Sequence, residues 1–399
     1  MAPLFVGVDV GTGSARAGVF DASGARLATA ARDVKMWRYR GGDYVEQSSE
    51  DVWAAVAGSV RAALAAVDGD DASRRVAGLG FAATCSLVCL DASGKPVSVS
   101  EESDPENERN IIVWMDHRAS DEAERINATN HNALRTVGGA VSPEMEMPKL
   151  AWLRARKPAA AAGKAFDLAD YLTWRATSEN TRSLCTTVCK WNLSADASGA
   201  RWDDDFLRTV GLGDLRDRCD VGEIFGAPGA PLGTGLTAAA AADLGLAPGA
   251  AVGVGLIDAH AGGVGSVGAA GPTPLEGRLA LVAGTSCCHM ASSRAPVFCP
   301  GVWGPYRGAM VPGTYLNEGG QSAAGLLLDH VVTTHPAHAL ADALPGASTS
   351  RSRAEISRTI RVVAVLHGLS ASSPFSTDYP RRRRRGAPRP LAAFAGTTN

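Results

Sequence analysis

The chain has 399 residues, 45% hydrophobic and 20% charged, which suits a folded protein of two or three domains and excludes a disordered one. Basic and acidic residues nearly cancel, 39 against 41, yet residues 346–399 hold ten arginines against two acids, Glu355 and Asp378. The body before them is therefore acidic, which argues against a nucleic-acid-binding core. No apolar run nears the roughly 20 residues that span a bilayer, and the first residues enter a strand-like run without a basic leader. A cytoplasmic protein is expected, without membrane or nucleic-acid partners.

The chain opens with a strand over residues 5–10, a turn over 11–14 and a second strand over 15–20 that ends in Asp21-Ala-Ser-Gly24, the chemistry of a hairpin. Residues 50–67 place Val52, Trp53, Val56, Val60, Leu64 and Val67 at helical spacing. Strands are predicted at 76–82 and 87–90. Hairpin, helix, strand and strand make a mixed sheet flanked by helices, of α/β class.

Helical patterns follow at 149–153 and 166–174, then a Pro/Gly-rich loop at 226–235 and an Ala-rich helix at 237–246. A strand at 251–257 runs into Asp258-Ala-His260. The two prolines within 268–277 suggest a hinge, followed by a strand at 279–283 and a turn at Gly284-Thr-Ser286. Beyond about residue 335, Ser, Arg, Pro, Ala and Gly dominate, and only 360–366 resembles a strand.

The strongest local signal is Asp9-Val-Gly-Thr-Gly-Ser-Ala-Arg16 at a strand–turn–strand. Gly11 and Gly13 let backbone amides approach an anion, while Thr12, Ser14 and Arg16 add donors, so the turn reads as a phosphate cradle or as an ordinary glycine-rich hairpin. Asp9 at the strand end suits Mg²⁺ held through water. Gly284-Thr285-Ser286 offers a second such turn, and the pair suggests a nucleotide between two halves. Asp258, after an apolar strand, is placed either as a general base or as the cap of the following helix. His260 reads as a packed or hydrogen-bonded histidine.

Gly263-Val-Gly-Ser-Val-Gly268 matches GxGxxG but follows no strand end, so close helix packing is preferred to dinucleotide binding. No GxSxG surrounds a serine. The eight cysteines, Cys185/Cys189 and Cys287/Cys288 among them, show no zinc spacing and are expected as buried, reduced thiols. The Arg381–385 run reads as a solvated tail.

Together these segments resemble the FGGY carbohydrate kinases, and most of all their pentulose-kinase, D-ribulokinase-like branch. The likeness covers about residues 3–335, through Asp9–Arg16, Ala83-Thr-Cys-Ser-Leu87, Trp114-Met-Asp-His-Arg118, Pro148-Lys-Leu-Ala-Trp-Leu153, Leu256-Ile-Asp-Ala-His-Ala-Gly262, Gly284-Thr-Ser286 and Asn317-Glu-Gly-Gly-Gln-Ser322. It implies an actin/hexokinase-like (ribonuclease H-like) fold and ATP-dependent phosphorylation of a sugar's terminal hydroxyl, with Mg²⁺, closure over the sugar and, in some members, a homodimer.

Carried over by position, Asp258 is the implied base that also meets the sugar. Gly11, Thr12, Gly13, Ser14 and Arg16 form the first phosphate loop, and Gly284, Thr285 and Ser286 the second. Gly319 approaches the nucleotide, Thr84 and Cys85 contact the sugar, and Asp116 sits in the sugar-side signature.

The resemblance implies a complete N-terminal, sugar-binding domain over 3–267 and the start of a nucleotide-binding domain over 279–335. It also implies an aberrant Arg-rich tail over 336–399 that lacks the family's Gly-Gly adenine motif. His367-Gly368 and Ser373-Pro374 look like scrambled remnants of a family segment, as a frameshift or faulty gene model would leave. The alternative function is then a sugar-binding remnant without phosphorylation. A further departure is Ala82, where related chains place Asp two residues before the Thr that matches Thr84.

Overall fold

The computed structural model describes residues 2–68, 71–268, 272–283, 286–321 and 324–334. Of these, residues up to 282 together with 288–319 form one compact unit, and 283, 286–287 and 320–334 group into a second. The division between these compact units falls at 283 and 320.

The first sheet grows from the N-terminal hairpin. β1 (Leu4–Val10) alternates buried Leu4, Val6, Val8 and Val10 with Phe5, Gly7 and Asp9, and pairs antiparallel with β2 (Ser14–Asp21). β2 pairs in turn with β3 (Arg26–Asp33), an exposed edge strand with no apolar alternation. On its other side β1 lies parallel to the strand Val76–Ala83, which also pairs in parallel with two short segments, Ala251–Val252 and Leu256–Ile257.

The run predicted as one strand over 251–257 is thus broken. Gly253, Val254 and Gly255 interrupt it, and a Cβ at Gly255 would lie 3.2–3.3 Å from Ala169 and from the Phe81 carbonyl. The helix Ser49–Ala65 covers this sheet. Ser48 caps it by accepting the Asp51 amide, and its apolar stripe of Val52, Trp53, Val56, Val60 and Leu64 is buried. Trp53 Nε1 donates to Asp243 Oδ2 (2.8 Å), fastening it to the Ala-rich helix Ala238–Leu244.

The strand Leu87–Leu90 belongs to a second six-stranded sheet. Its order is Cys219–Asp220, Gly163–Asp167, Leu87–Leu90, Ile111–Ile112, Tyr44–Gln47 and Trp37–Tyr39. The helical pattern read over 166–174 is corrected here. Phe166 and Asp167 end a strand, and the helix Leu168–Thr177 starts after Asp167, whose carboxylate accepts the Ala169 amide.

The glycines of the GxGxxG match lie inside and at the end of the helix Asp258–Val267, where a Cβ at Gly263 would meet the Met310 and Met290 sulfurs at 2.5 and 2.9 Å. Close packing is why that position is glycine. Seven of the eight cysteines are buried and none forms a disulfide. Among the described residues no helix is long and apolar enough to cross a membrane. The stretch 360–366, the arginine run and the tail lie outside the described residues.

Candidate active site

Three neighbouring strands deliver the site. In the register of the first sheet, Asp9 and Leu256 both stand opposite Ala82, and Val10 and Ile257 both stand opposite Ala83. The strands are parallel, so their carboxyl ends leave the sheet side by side: β1 into the turn 11–14, Val76–Ala83 into Thr84, and Leu256–Ile257 into Asp258 at the first turn of its helix. The carboxyl edge of parallel strands is where α/β sheets place ligands. Ala82 shares a face with Asp9, so an aspartate there would stand as a second carboxylate beside it.

The first turn is tightly organised. Gly11 N–H donates to the Ser14 carbonyl (3.0 Å), and Arg16 bridges Ser14 Oγ (3.2 Å) and Asp9 Oδ2 (2.7 Å). A Cβ at Gly11 would sit 3.0 Å from Arg16 Nη2, while one at Gly13 would meet nothing within 4 Å. Glycine at 11 thus leaves room for the guanidinium, and Gly13 leaves its backbone open to solvent. The second sheet grips Thr12 from behind: Trp114 Nε1 donates to its hydroxyl (2.9 Å) and Gln47 Nε2 to its carbonyl (2.7 Å).

Asp258 keeps part of its surface in solvent, yet burial pushes its carboxyl up to about 6, with the negative charge of Asp9 adding to the rise. The Ala259 amide, donating to Oδ1 at 2.7 Å, and the charges of His260 and Lys190 work in the opposite direction. It is the first residue of its helix, and Ile257 holds the cap position.

His260 is buried, as expected, with Nδ1 3.0 Å from Cys185 Sγ and Nε2 3.1 Å from Glu318 Oε2. Burial opposes its protonation, but Cys185, Cys189 and Glu318 outweigh that and raise its pKa. Burial would likewise raise Glu318, and His260 holds it low.

Beneath Asp258 lies a polar floor that periodicity hides. Lys190 is buried with Nζ 4.3 Å from the Trp303 ring, and Lys149 donates to the Val113 carbonyl (3.3 Å). Burial drives Glu146 up to about 7 against the pull of Lys149 and Lys190 and of its own backbone amide. Both lysines interrupt apolar stretches, Met-Pro-Lys149-Leu and Val-Cys-Lys190-Trp. A charge in a core phase is the signal that could have marked them.

Of the implied sugar contacts, Thr84 is buried with its hydroxyl 3.0 Å from that of Ser86. Cys85 is buried within the field of Lys190, Glu146, Asp167 and Lys149, and desolvation raises its thiol pKa.

Asp116 is not brought into the site. Its oxygens accept the Val45 amide (2.6 Å), the Arg118 amide (2.9 Å) and the Arg118 guanidinium (2.7 and 2.8 Å), all buried. Arg118 reaches on to Glu46 at 2.9 Å. Gly319 lies on the strand Tyr315–Gln321 beside Glu318, with open space where a Cβ would be. Gly284 and Thr285 lie outside the described residues, and Ser286 belongs to the second unit. Among the described residues, no group of three or more His, Cys, Asp or Glu side chains is arranged for a metal.

Two family profiles match this chain: the N-terminal domain of the FGGY family of carbohydrate kinases over residues 4–265, and the C-terminal domain of the same family over 279–380. The second match runs past 335, where the sequence reading ended the likeness. The chain is 48% identical over 346 residues to the FGGY carbohydrate kinase domain-containing protein of Homo sapiens, covering 84% of this chain and 61% of that protein. It is 40% identical over 366 residues to a D-ribulokinase of Saccharomyces cerevisiae, covering 84% of this chain and 50% of that one. The chain thus spans between half and two thirds of these relatives.

The backbone superposes on a xylulose kinase from Rhodospirillum rubrum with a TM-score of 0.69 at 21% identity, covering 86% of this chain and 67% of that one. It superposes on Plasmodium falciparum glycerol kinase with ADP with a TM-score of 0.66 at 13% identity, covering 83% and 63%. These likenesses show the actin/hexokinase-like fold.

Proposed function

The chain belongs to the FGGY family of carbohydrate kinases, and from that premise we propose that it transfers the γ-phosphoryl group of ATP to the terminal hydroxyl of a pentulose of the D-ribulose class. The observation that carries the reading is Asp258, a carboxylate tuned to about 6 at the end of a strand two places across the sheet from Asp9 and its glycine turn. A base with that pKa is ionised at neutral pH and still has affinity for a proton, the compromise that general-base catalysis favours. The 40% identical D-ribulokinase supports the choice of sugar.

In this reading Asp258 accepts the proton of the attacking hydroxyl. The open Gly13 backbone, the Ser14 hydroxyl and Arg16 receive phosphate oxygens, with Gly11 and Thr12 fixing the turn, Gly284, Thr285 and Ser286 supplying the second turn and Gly319 bordering the nucleotide. The donor set fits a magnesium nucleotide: one half-exposed carboxylate, Asp9, gives a hard-oxygen acceptor suited to a metal held through water, beside a guanidinium 2.7 Å away. When bound, that complex supplies the phosphoryl group and neutralises its charge.

Thr84 and Cys85 shape the sugar side, beside the mixed buried charges of Lys190, Lys149, Glu146 and Asp167. Asp116 acts at one remove, by holding Arg118 and the Val45 amide. Coupled ADP release with Mg-ATP and a panel of ketopentoses tests the proposal. Ketopentose-dependent release that Asp258→Asn lowers by about 100-fold or more is expected. Sugar binding without release would make the chain a sugar-binding remnant.

A further inference from the structure

The segment that delivers Asp258 is held by buried hydrogen bonds to which the phosphoryl-transfer chemistry gives no part. Ser183, at the cap of the helix Leu184–Lys190, donates its hydroxyl to the Gly255 carbonyl (2.7 Å), and the Ile257 amide donates to Cys185 Sγ (3.4 Å). The same sulfur stands 3.0 Å from His260 Nδ1, so it meets groups on both sides of Asp258 in the chain. His260 Nε2 in turn stands 3.1 Å from Glu318 Oε2, and Glu318 is the neighbour of Gly319. Ser183, Cys185, His260 and Glu318 are each 2% exposed or less. The anchor is stiff, because buried Asp170 accepts the Ser183 amide (2.8 Å) and the Thr186 hydroxyl (2.7 Å) and so fixes the start of that helix.

The partners set the proton arrangement. An ionised carboxylate only accepts, so Nε2 carries its proton toward Glu318, and Nδ1 either accepts from the thiol or, in the imidazolium, donates to sulfur. Histidine thereby satisfies a buried carboxylate and a buried thiol at once, which no aliphatic residue could do. A base works only while its oxygen is held against the attacking hydroxyl, and a misplacement of about 1 Å costs on the order of 100-fold in rate.

We propose that His260 is a positioning residue for the phosphoryl transfer: with Cys185 and Glu318 it forms a buried clamp that fixes the chain from Ile257 to His260, and with it the Asp258 carboxylate. The catalytic consequence rests on the kinase reading, whereas the clamp is a property of the fold. Asp258 faces Asp9 from β1, Lys190 from the helix Leu184–Lys190 and Cys288. His260 faces Cys185 and Cys189 from that helix and Glu318, and Glu318 also faces Lys190, Cys288 and Tyr306. Within this set the positive charge of His260 favours the ionised form of Asp258.

Steady-state ADP release with Mg-ATP and D-ribulose, followed across pH, tests the assignment. His260→Gln keeps an amide donor for Glu318 and loses both the charge and the second ring nitrogen that meets Cys185. It is expected to lower kcat about tenfold with the KM for the sugar within about twofold, the pattern of an interaction used in the transition state. Its acid limb moves to higher pH, because the charge that favours ionised Asp258 is gone. Cys185→Ala lowers kcat in the same way, and Cys185→Ser, which restores a polar atom for the Ile257 amide, recovers most of it. Unchanged kcat in both His260→Gln and Cys185→Ala, or a loss with the acid limb of His260→Gln unmoved, overturns the positioning role. If the parent chain releases no ADP, the kinase reading fails on its own account and the clamp is read by nitrogen NMR of the full chain labelled at histidine. The imidazole signals that vanish in His260→Gln should then show Nε2 protonated, with a titration that moves to lower pH in Glu318→Gln. An imidazole that titrates at the ordinary 6.5 and ignores Glu318→Gln overturns the clamp itself.

Discussion

Replacing Asp258 by Asn separates catalysis from stability. The carboxyl sits at about 6 in the folded chain against an ordinary value of 3.8, chiefly because folding strips water from it. The folded protein therefore binds this proton more tightly than the unfolded one, and between those two values it holds more protons. Stability then falls as pH rises through the window and stays reduced above it. Two units at ~1.4 kcal/mol each place the penalty at about 3 kcal/mol, an upper bound because the carboxylate keeps a solvent-facing edge.

Asparagine retains the oxygen that accepts the Ala259 amide and carries no charge. Asp258→Asn is therefore expected to raise stability by about 1–3 kcal/mol at about pH 8, several degrees in melting temperature, and to give no gain at about pH 4. Thermal and guanidinium unfolding at both pH values, run beside the ADP-release assay, measure it. A variant that loses activity and is no more stable than the parent at pH 8, or whose gain is the same at pH 4, would falsify the desolvation argument.

Further expectations concern the neighbours. The ketopentose-dependent rate should fall on an acid limb near pH 6, and Asp9→Asn, by removing the charge that raises Asp258, should move that limb to lower pH; a limb that stays fixed in that variant counts against the coupling. Trp114→Phe removes the 2.9 Å bond to Thr12 and should raise the KM for ATP about fivefold without lowering the melting temperature by more than a few degrees. Asp116→Ala leaves Arg118 and Glu46 buried beside a missing partner and should cost about 3–5 kcal/mol, read by guanidinium unfolding, whereas a surface role would leave stability within about 0.5 kcal/mol. Gly263→Ala drives a methyl into Met310 and Met290 and should destabilise by about 1–3 kcal/mol.

The sequence was most informative where burial follows a simple period. Val6, Val8 and Val10 alternate, and Val52, Val56 and Val60 recur by fours, so the hairpin and the first helix were legible at once. β3 was missed because an edge strand faces water on both sides and Arg26 to Asp33 need not alternate. Glu46 and Gln47 hid another strand, being polar yet fully buried. At the site, the residues at the three strand ends were readable as motifs. Their convergence was not, since the register that sets Asp9 and Leu256 against Ala82 joins segments more than 70 residues apart. Lys149, Lys190 and Glu146 escaped for the opposite reason: in a linear string a charge amid apolar residues looks like an interruption, and only three-dimensional packing shows that the charges answer one another.

Thr12 lies in the turn after a strand of the first sheet and Trp114 in the turn after a strand of the second, and their bond has an evolutionary corollary. A homologue with an aliphatic residue at position 12 strands a half-buried indole N–H, and one without an indole at 114 leaves the turn hydroxyl undirected. The two positions should drift as a pair across related chains, so a substitution at one is best judged together with the residue at the other.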